Sequence, residues 1–226
     1  MMSDISPSRC SEMALTLYGS AYAPAPYRVR IGLALKGLDY ESVAVDLLAG
    51  AQHKPAYRAI NPQRLIPALD AGDGDIMTQS LAILEWLEET HPEPALLPGS
   101  ARDRARIRAM AMVIACDVHP LVNIRIGRAM EAMDVSPARR SKWSERWIVD
   151  GLQVLEPMVE KFGRGFAFGD TPTLADCCLI PQVYSAIRLE IPMSGFPAIS
   201  AVVEHAARHP AFVAAHPDLQ PQARQA

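Results

Sequence analysis

Residues 66–90 read IPALDAGDGDIMTQSLAILEWLEET. An apolar run at 66–70, the Gly72-Asp73-Gly74 turn and Asp75-Ile76-Met77 make a β-hairpin. From Ser80 to residue 90, Leu81, Leu84 and Leu87 fall on one helical stripe. Working outward, residues 14–18 (ALTLY) form a short apolar strand. Residues 27–36 form a helix ended by Gly37, and residues 40–46 (YESVAVD) alternate as a second strand. A β-α-β order requires parallel pairing through a helical crossover.

The full order, βαβ then ββα, is that of a thioredoxin-like α/β domain. From residue 95 onward only helical periods occur. Residues 102–128 form one long helix with the stripe Ile107, Met110, Ile114 and Val118, kinked at Pro120. Residues 141–161 form another, around Trp143, Trp147, Leu152 and Leu155. Thr173 and Asp176 have capping-box spacing before Cys177, Leu179, Ile180 and Val183, and residues 199–209 make a last helix. The Pro-rich stretch 91–98 separates the halves. The domain reading is therefore a disordered tail at 1–12, a thioredoxin-like domain at 13–94 and an all-α domain at 95–226, fraying from residue 216.

Half of the 226 residues are hydrophobic, enough for a sizeable core, and the net charge of −3 gives no electrostatic case for a nucleic-acid partner. No apolar run reaches transmembrane length and residues 1–12 lack a signal-peptide core, so the expectation is a cytoplasmic protein with no membrane partner. Cys10, Cys116, Cys177 and Cys178 have no C-x-x-C spacing and read as reduced thiols packed as small hydrophobes. No metal-ligand spacing stands out.

Four places could carry chemistry. Ile66 precedes a proline that opens a strand, an edge to which an extended peptide could pair. Gln79 and Ser80 begin a helix, where free N–H groups and the dipole favour a carboxylate; Ser80 could equally be a simple N-cap. His119 and Asn123, four apart, share a helix face, with Arg125 on another face unless the helix is distorted. They either line a cleft or serve the structure. Arg188 stands in an apolar helix, as a surface residue or a carboxylate clamp.

Several stretches together resemble the zeta-class glutathione transferases, within them the maleylacetoacetate and maleylpyruvate isomerases: YRVRI at 27–31, ALKG at 34–37, NPQ at 61–63, IPAL at 66–69, QSLAILEWLEE at 79–89 and GDTPTLADC at 169–177. The resemblance spans about residues 15–217. It implies the glutathione transferase fold and glutathione as cofactor. It places Ile66 against the cysteinyl backbone, Gln79 and Ser80 at the γ-glutamyl carboxylate, and Gln52 near the glycyl end. His119 and Asn123 match polar cleft positions, Arg125 a basic position of the maleylpyruvate branch, and Arg188 the arginine for a carboxylate of a small acidic substrate. It also implies a homodimer. Where the family carries a Ser-Ser-Cys-like loop, this chain has Ala23-Pro24-Ala25-Pro26, leaving Ser20 and Tyr22 as the nearby hydroxyls. Three functions follow as expectations: isomerisation of a maleyl-type keto acid, glutathione binding with little catalysis, or a transferase or lyase reaction on another electrophile.

Overall fold

The computed structural model describes residues 14–221; the expected tail at 1–12 and Cys10 lie outside the described residues. The first half runs β1 (Leu15–Gly19), α1 (Pro24–Leu35), β2 (Tyr40–Ala44), α2 (Pro55–Ile60), β3 (Ala68–Asp70), β4 (Ile76–Thr78) and α3 (Ser80–Thr90). The strands form one sheet in the order β2-β1-β3-β4. β1 pairs parallel with β2, and the other neighbours are antiparallel. This is the thioredoxin-like arrangement expected from the hairpin at 66–78. Leu17 lies opposite Leu69 across the β1–β3 pair, and both are buried. Each such leucine contributes about 2 kcal/mol by leaving water.

The structure begins α1 three residues earlier than the apolar pattern, at Pro24. Proline fixes a helical φ and lacks an N–H that the first turn would leave unpaired anyway, so the Ala-Pro-Ala-Pro stretch is built into the helix. α2 and a 3₁₀ turn at Ala51–His53 went unread because each is too short to show a period. α1 packs on α3, and Gly32 makes the approach possible: a Cβ there would overlap the Leu84 side chain.

The helical half contains α4 (Ala101–Met112), α5 (His119–Val122), α6 (Ile124–Ala132), α7 (Pro137–Phe162), α8 (Leu174–Arg188), α9 (Pro197–Ala206) and α10 (Pro210–Ala215). The single helix expected at 102–128 is thus corrected. α4 passes into a π-helical stretch at Val113–Val118, α5 follows, and the chain breaks at Asn123, whose backbone is extended. Pro120 contributes to the distortion ahead of it, since it has no N–H to give and its ring crowds the preceding turn. α7 starts four residues before the expected helix, with Pro137 in its first turn. The last helix expected at 199–209 is α9 and ends at Ala206, the unexpected α10 starts at Pro210, and Gln220 is buried, so the chain is packed beyond residue 216.

Residues Ala101–Ala132 are, by length and composition, apolar enough to cross a membrane, contrary to the sequence expectation. Here Ile107, Met110, Ala111, Ile114 and Val118 of that segment belong to a hydrophobic cluster that runs continuously through both halves. The stretch at 91–98 is packed as well. Glu88 of α3 accepts backbone N–H bonds from Leu96 and Leu97 and pairs with Lys36, the C-cap of α1, at 2.9 Å. Thr173 and Asp176 form the expected capping box at the start of α8. Cys177 and Cys178 are buried free thiols, whereas Cys116 is exposed, so the small-hydrophobe reading fails for that residue.

Candidate functional site

A cavity of about 940 Å³ lies between the sheet half and the helical half. Ser20, Tyr22, Gln52, Ile66, Gln79, Ser80, His119, Asn123, Arg125 and Arg188 all line it. Residues singled out over a span of the chain from 20 to 188 are therefore brought to one place.

At the sheet side, Ile66 and Pro67 are joined by a cis peptide bond just ahead of β3. Gln79 is the N-cap of α3, with a φ of 69° that side chains seldom adopt. This turn lets β4 run directly into α3. Ser80 is the first helical residue and not the cap, which corrects the simple-cap alternative. The early N–H groups of such a helix have no intrahelical acceptor, so they are donors for an anion. Ser80 Oγ accepts a hydrogen bond from Arg28 Nη1 at 3.2 Å. The Gln79 side chain donates to Gln63 Oε1 at 3.1 Å. Gln52 is buried in the 3₁₀ turn, and its Oε1 has no partner.

On the helical side, the break at Asn123 replaces the shared face expected for His119 and Asn123. Asn123 Oδ1 accepts from the Ile126 N–H at 3.3 Å and Nδ2 donates to the Pro120 carbonyl at 3.2 Å, so this side chain starts α6. The same break brings Arg125 to the cavity, as expected for a distorted helix. His119 Nδ1 is buried without a partner. Burial, then the charges of Arg28 and Arg125, push the His119 imidazole down to about 3, so it is neutral at physiological pH. Arg188, in the last turn of α8, stacks over the Tyr22 ring with 4.7 Å from Cζ to the ring centroid.

The model of the glutathione S-transferase N-terminal domain matches residues 17–95. The maleylacetoacetate isomerase of Pseudomonas aeruginosa is 42% identical over 92% of this chain and 98% of its own. Among solved structures, a holo maleylpyruvate isomerase described as a bacterial zeta-class glutathione S-transferase superposes with a TM-score of 0.89 at 42% identity, covering 91% of this chain and 98% of its own. The chain belongs to the zeta class of glutathione S-transferases. A maleylacetoacetate isomerase from Anaeromyxobacter dehalogenans 2CP-1, solved with glutathione in its active site, is 43% identical with a TM-score of 0.84, over 93% of this chain and 98% of its own.

This zeta-class glutathione S-transferase departs from its family pattern in the first turn of α1. Ala23 is the N-cap and makes no side-chain cap bond. Pro24 and Pro26 have no N–H. The Tyr27 N–H bonds to the Ala23 carbonyl at 3.2 Å, and the Ala23 N–H to the Ser20 carbonyl at 3.4 Å. The N–H of Ala25 is thus the backbone donor left in this turn.

Sequence reading missed Arg28, Cys116, Arg128 and Gln182, which also line the cavity. Arg128 Nη2 donates to the Leu47 carbonyl at 2.7 Å, tying α6 to the loop after β2. The available signal was a charged or amide group inside an apolar helix, at Arg28 in α1 and Gln182 in α8. Both are buried.

Proposed function

We propose that this protein is a glutathione-dependent cis–trans isomerase of a maleyl-type keto acid, maleylacetoacetate or maleylpyruvate. The observation that carries the reading is one cavity holding both a carboxylate-ready helix start at Gln79 and Ser80 and a stacked arginine, Arg188, with no ion-pair partner among the described residues.

The donor set fits glutathione. Ser80 has its oxygen occupied by Arg28, leaving the hydroxyl proton to give to a γ-glutamyl carboxylate. Gln52 has an unpartnered amide oxygen that can accept the glycyl N–H of glutathione. β3 lies inside the sheet and has no free edge, but Ile66, in the cis-linked segment ahead of β3, stands outside the ladder, where its backbone can pair with an extended peptide. Bound glutathione supplies a thiolate, whose reversible addition to the conjugated cis double bond leaves a single bond free to turn before elimination restores it as trans. The chain's own groups hold charge and orientation. The Ala25 N–H and the positive end of α1 face negative charge at the thiol. Arg188 anchors a carboxylate of the diacid, with Arg125 as the second basic group. Neutral His119 and Asn123 complete the polar wall.

In this reading residues 13–94 bind glutathione and residues 95–226 shape the substrate pocket. The protein works as a homodimer in the cytoplasm, in the breakdown of aromatic acids. Support for the dimer and the compartment comes from the family and from the sequence. Sedimentation at micromolar concentration tests the dimer.

The first turn of α1, with neither hydroxyl nor more than one free N–H, favours a second reading in which glutathione binds and catalysis is weak. One assay separates the two. Purified protein is mixed with maleylpyruvate, with and without glutathione, and loss of the cis isomer is followed. Glutathione-dependent turnover is expected. Tight glutathione binding without turnover would establish the second reading instead.

A further inference from the structure

Arg28 is 2% exposed, yet its guanidinium has no ion-pair partner among the described residues. Its Nη1 donates to Ser80 Oγ at 3.2 Å, while Nε and Nη2 have no partner. The polar groups that face it are Ser80 of α3, Cys116 of the π-helical stretch, His119 of α5 and Cys178 of α8. None of these is a carboxylate. His119 is held neutral, and burial pushes Cys178 up to about 11. Among the other cavity cations, Arg188 lies over Tyr22 and Tyr184 and Arg128 is bonded to the carbonyls of Leu47 and Leu48, while Arg64 and Arg125 also line the cavity. A buried guanidinium without an anion is costly to fold around, and its uncompensated field is a reason for an anionic ligand to enter.

We propose that Arg28 is the positioning residue of the glutathione carboxylate site, acting through Ser80. By donating to the serine oxygen, Arg28 fixes that oxygen as an acceptor and turns the hydroxyl proton toward the ligand. A donor that is itself charged polarises the hydroxyl and strengthens the bond it gives onward. The guanidinium behind the serine also supplies the countercharge that the N-terminus of α3 provides only in part. The inference rests on the glutathione reading above and names the residue that sets the charge requirement of its γ-glutamyl end.

The test compares two peptides by calorimetry: glutathione, and 4-aminobutyryl-cysteinylglycine, which is glutathione without the γ-glutamyl α-carboxylate. The wild-type protein is expected to prefer glutathione on the order of a hundredfold, as for the loss of one partner of a buried charged contact. Arg28→Met is expected to reduce that preference to a few-fold while leaving affinity for the analogue near its wild-type value. Arg28→Lys, which retains the charge, keeps most of the preference. A merely structural arginine would weaken both peptides together, leaving the ratio unchanged, and that result overturns the proposal. So would an Arg28→Lys ratio as low as that of Arg28→Met. Should the Met variant not fold, Arg28→Gln decides: it keeps a donor beside Ser80 without the charge and must cut the preference to a few-fold. An Arg28→Gln ratio equal to that of the wild type overturns the proposal. Wild-type protein that binds both peptides equally refutes this assignment and leaves the isomerase assay to judge the catalytic reading. Wild-type protein that binds neither removes both.

Discussion

The guanidinium of Arg188 sits over Tyr22, 4.7 Å from Cζ to the ring centroid, with the Tyr184 ring at 5.9 Å on the same cation. The Tyr22 ring, just before the Ala23–Pro26 stretch, is therefore engaged as a platform for Arg188, the arginine proposed to hold a substrate carboxylate. Arg188→Ala is expected to raise KM for maleylpyruvate by about a hundredfold, the effect of losing a charged carboxylate contact, with glutathione affinity unchanged. Tyr22→Ala should cost less, about tenfold, because only a cation–π contact is lost. Tyr22→Phe keeps the ring and should retain activity within about twofold. A large loss of kcat in Tyr22→Phe would assign the tyrosine hydroxyl to the thiol instead.

Ala23 is the unbonded N-cap of α1, and the Ala25 N–H is the free donor of that turn. An N-cap side chain bonds to the second or third N–H of its helix, and the third here belongs to Pro26, which has none. Ala23→Ser is therefore expected to bond to the Ala25 N–H. The helix gains about 1 kcal/mol, and the thiolate loses its donor. A higher Tm together with a raised pKa of bound glutathione, followed by ultraviolet absorbance of the thiolate, is the predicted pair of results. A higher Tm with a lower thiol pKa would mean that the new hydroxyl faces the ligand.

Lys36 and Glu88 are buried together at 2.9 Å, and Glu88 also holds the N–H groups of Leu96 and Leu97. Lys36 Nζ further donates to the Pro94 carbonyl at 2.7 Å. Glu88→Ala leaves a buried cation and two buried N–H groups without acceptors. Destabilisation of about 3–5 kcal/mol in urea unfolding is expected. A loss under about 1 kcal/mol would show that the segment after α3 is held by packing alone.

The pattern of the sheet half was legible because strand alternation and the hairpin turn act over a few residues. Ile66, Gln79 and Ser80 were legible for the same reason, since a helix start and a strand edge are local features. What could not be read was what depends on distant packing. Pro120 announced a distortion, but the π-helical stretch before it and the break at Asn123 depend on how the segment meets α7, where Gly151 admits Val118. That break turned Arg125 toward the cavity and committed Asn123 to a cap. Arg28 stood out as a cation in an apolar helix, but its role could not be read because Ser80, the partner it bonds, is 52 residues away.

His119 gives the pH dependence. Its Nδ1 is buried, and burial with the charges of Arg28 and Arg125 holds its pKa at about 3, against about 6.5 in an unfolded chain. Between those values the unfolded chain binds a proton that the folded protein refuses. Stability from this residue is complete above pH 6.5 and is lost as pH falls toward 3, by roughly 2 kcal/mol between pH 6.5 and 5. Asp176 acts in the opposite sense, because burial pushes its carboxyl up to about 6 and the folded state takes the proton first as pH falls. The wild-type curve alone mixes the two. His119→Gln removes the histidine and keeps Asp176, so the measurement is the stability difference between wild type and variant from urea unfolding at each pH. Relative to the variant, the wild type should weaken by roughly 2 kcal/mol from pH 6.5 to 5. A difference that stays constant across that interval would mean that His119 is protonated as readily in the folded protein as in the unfolded chain.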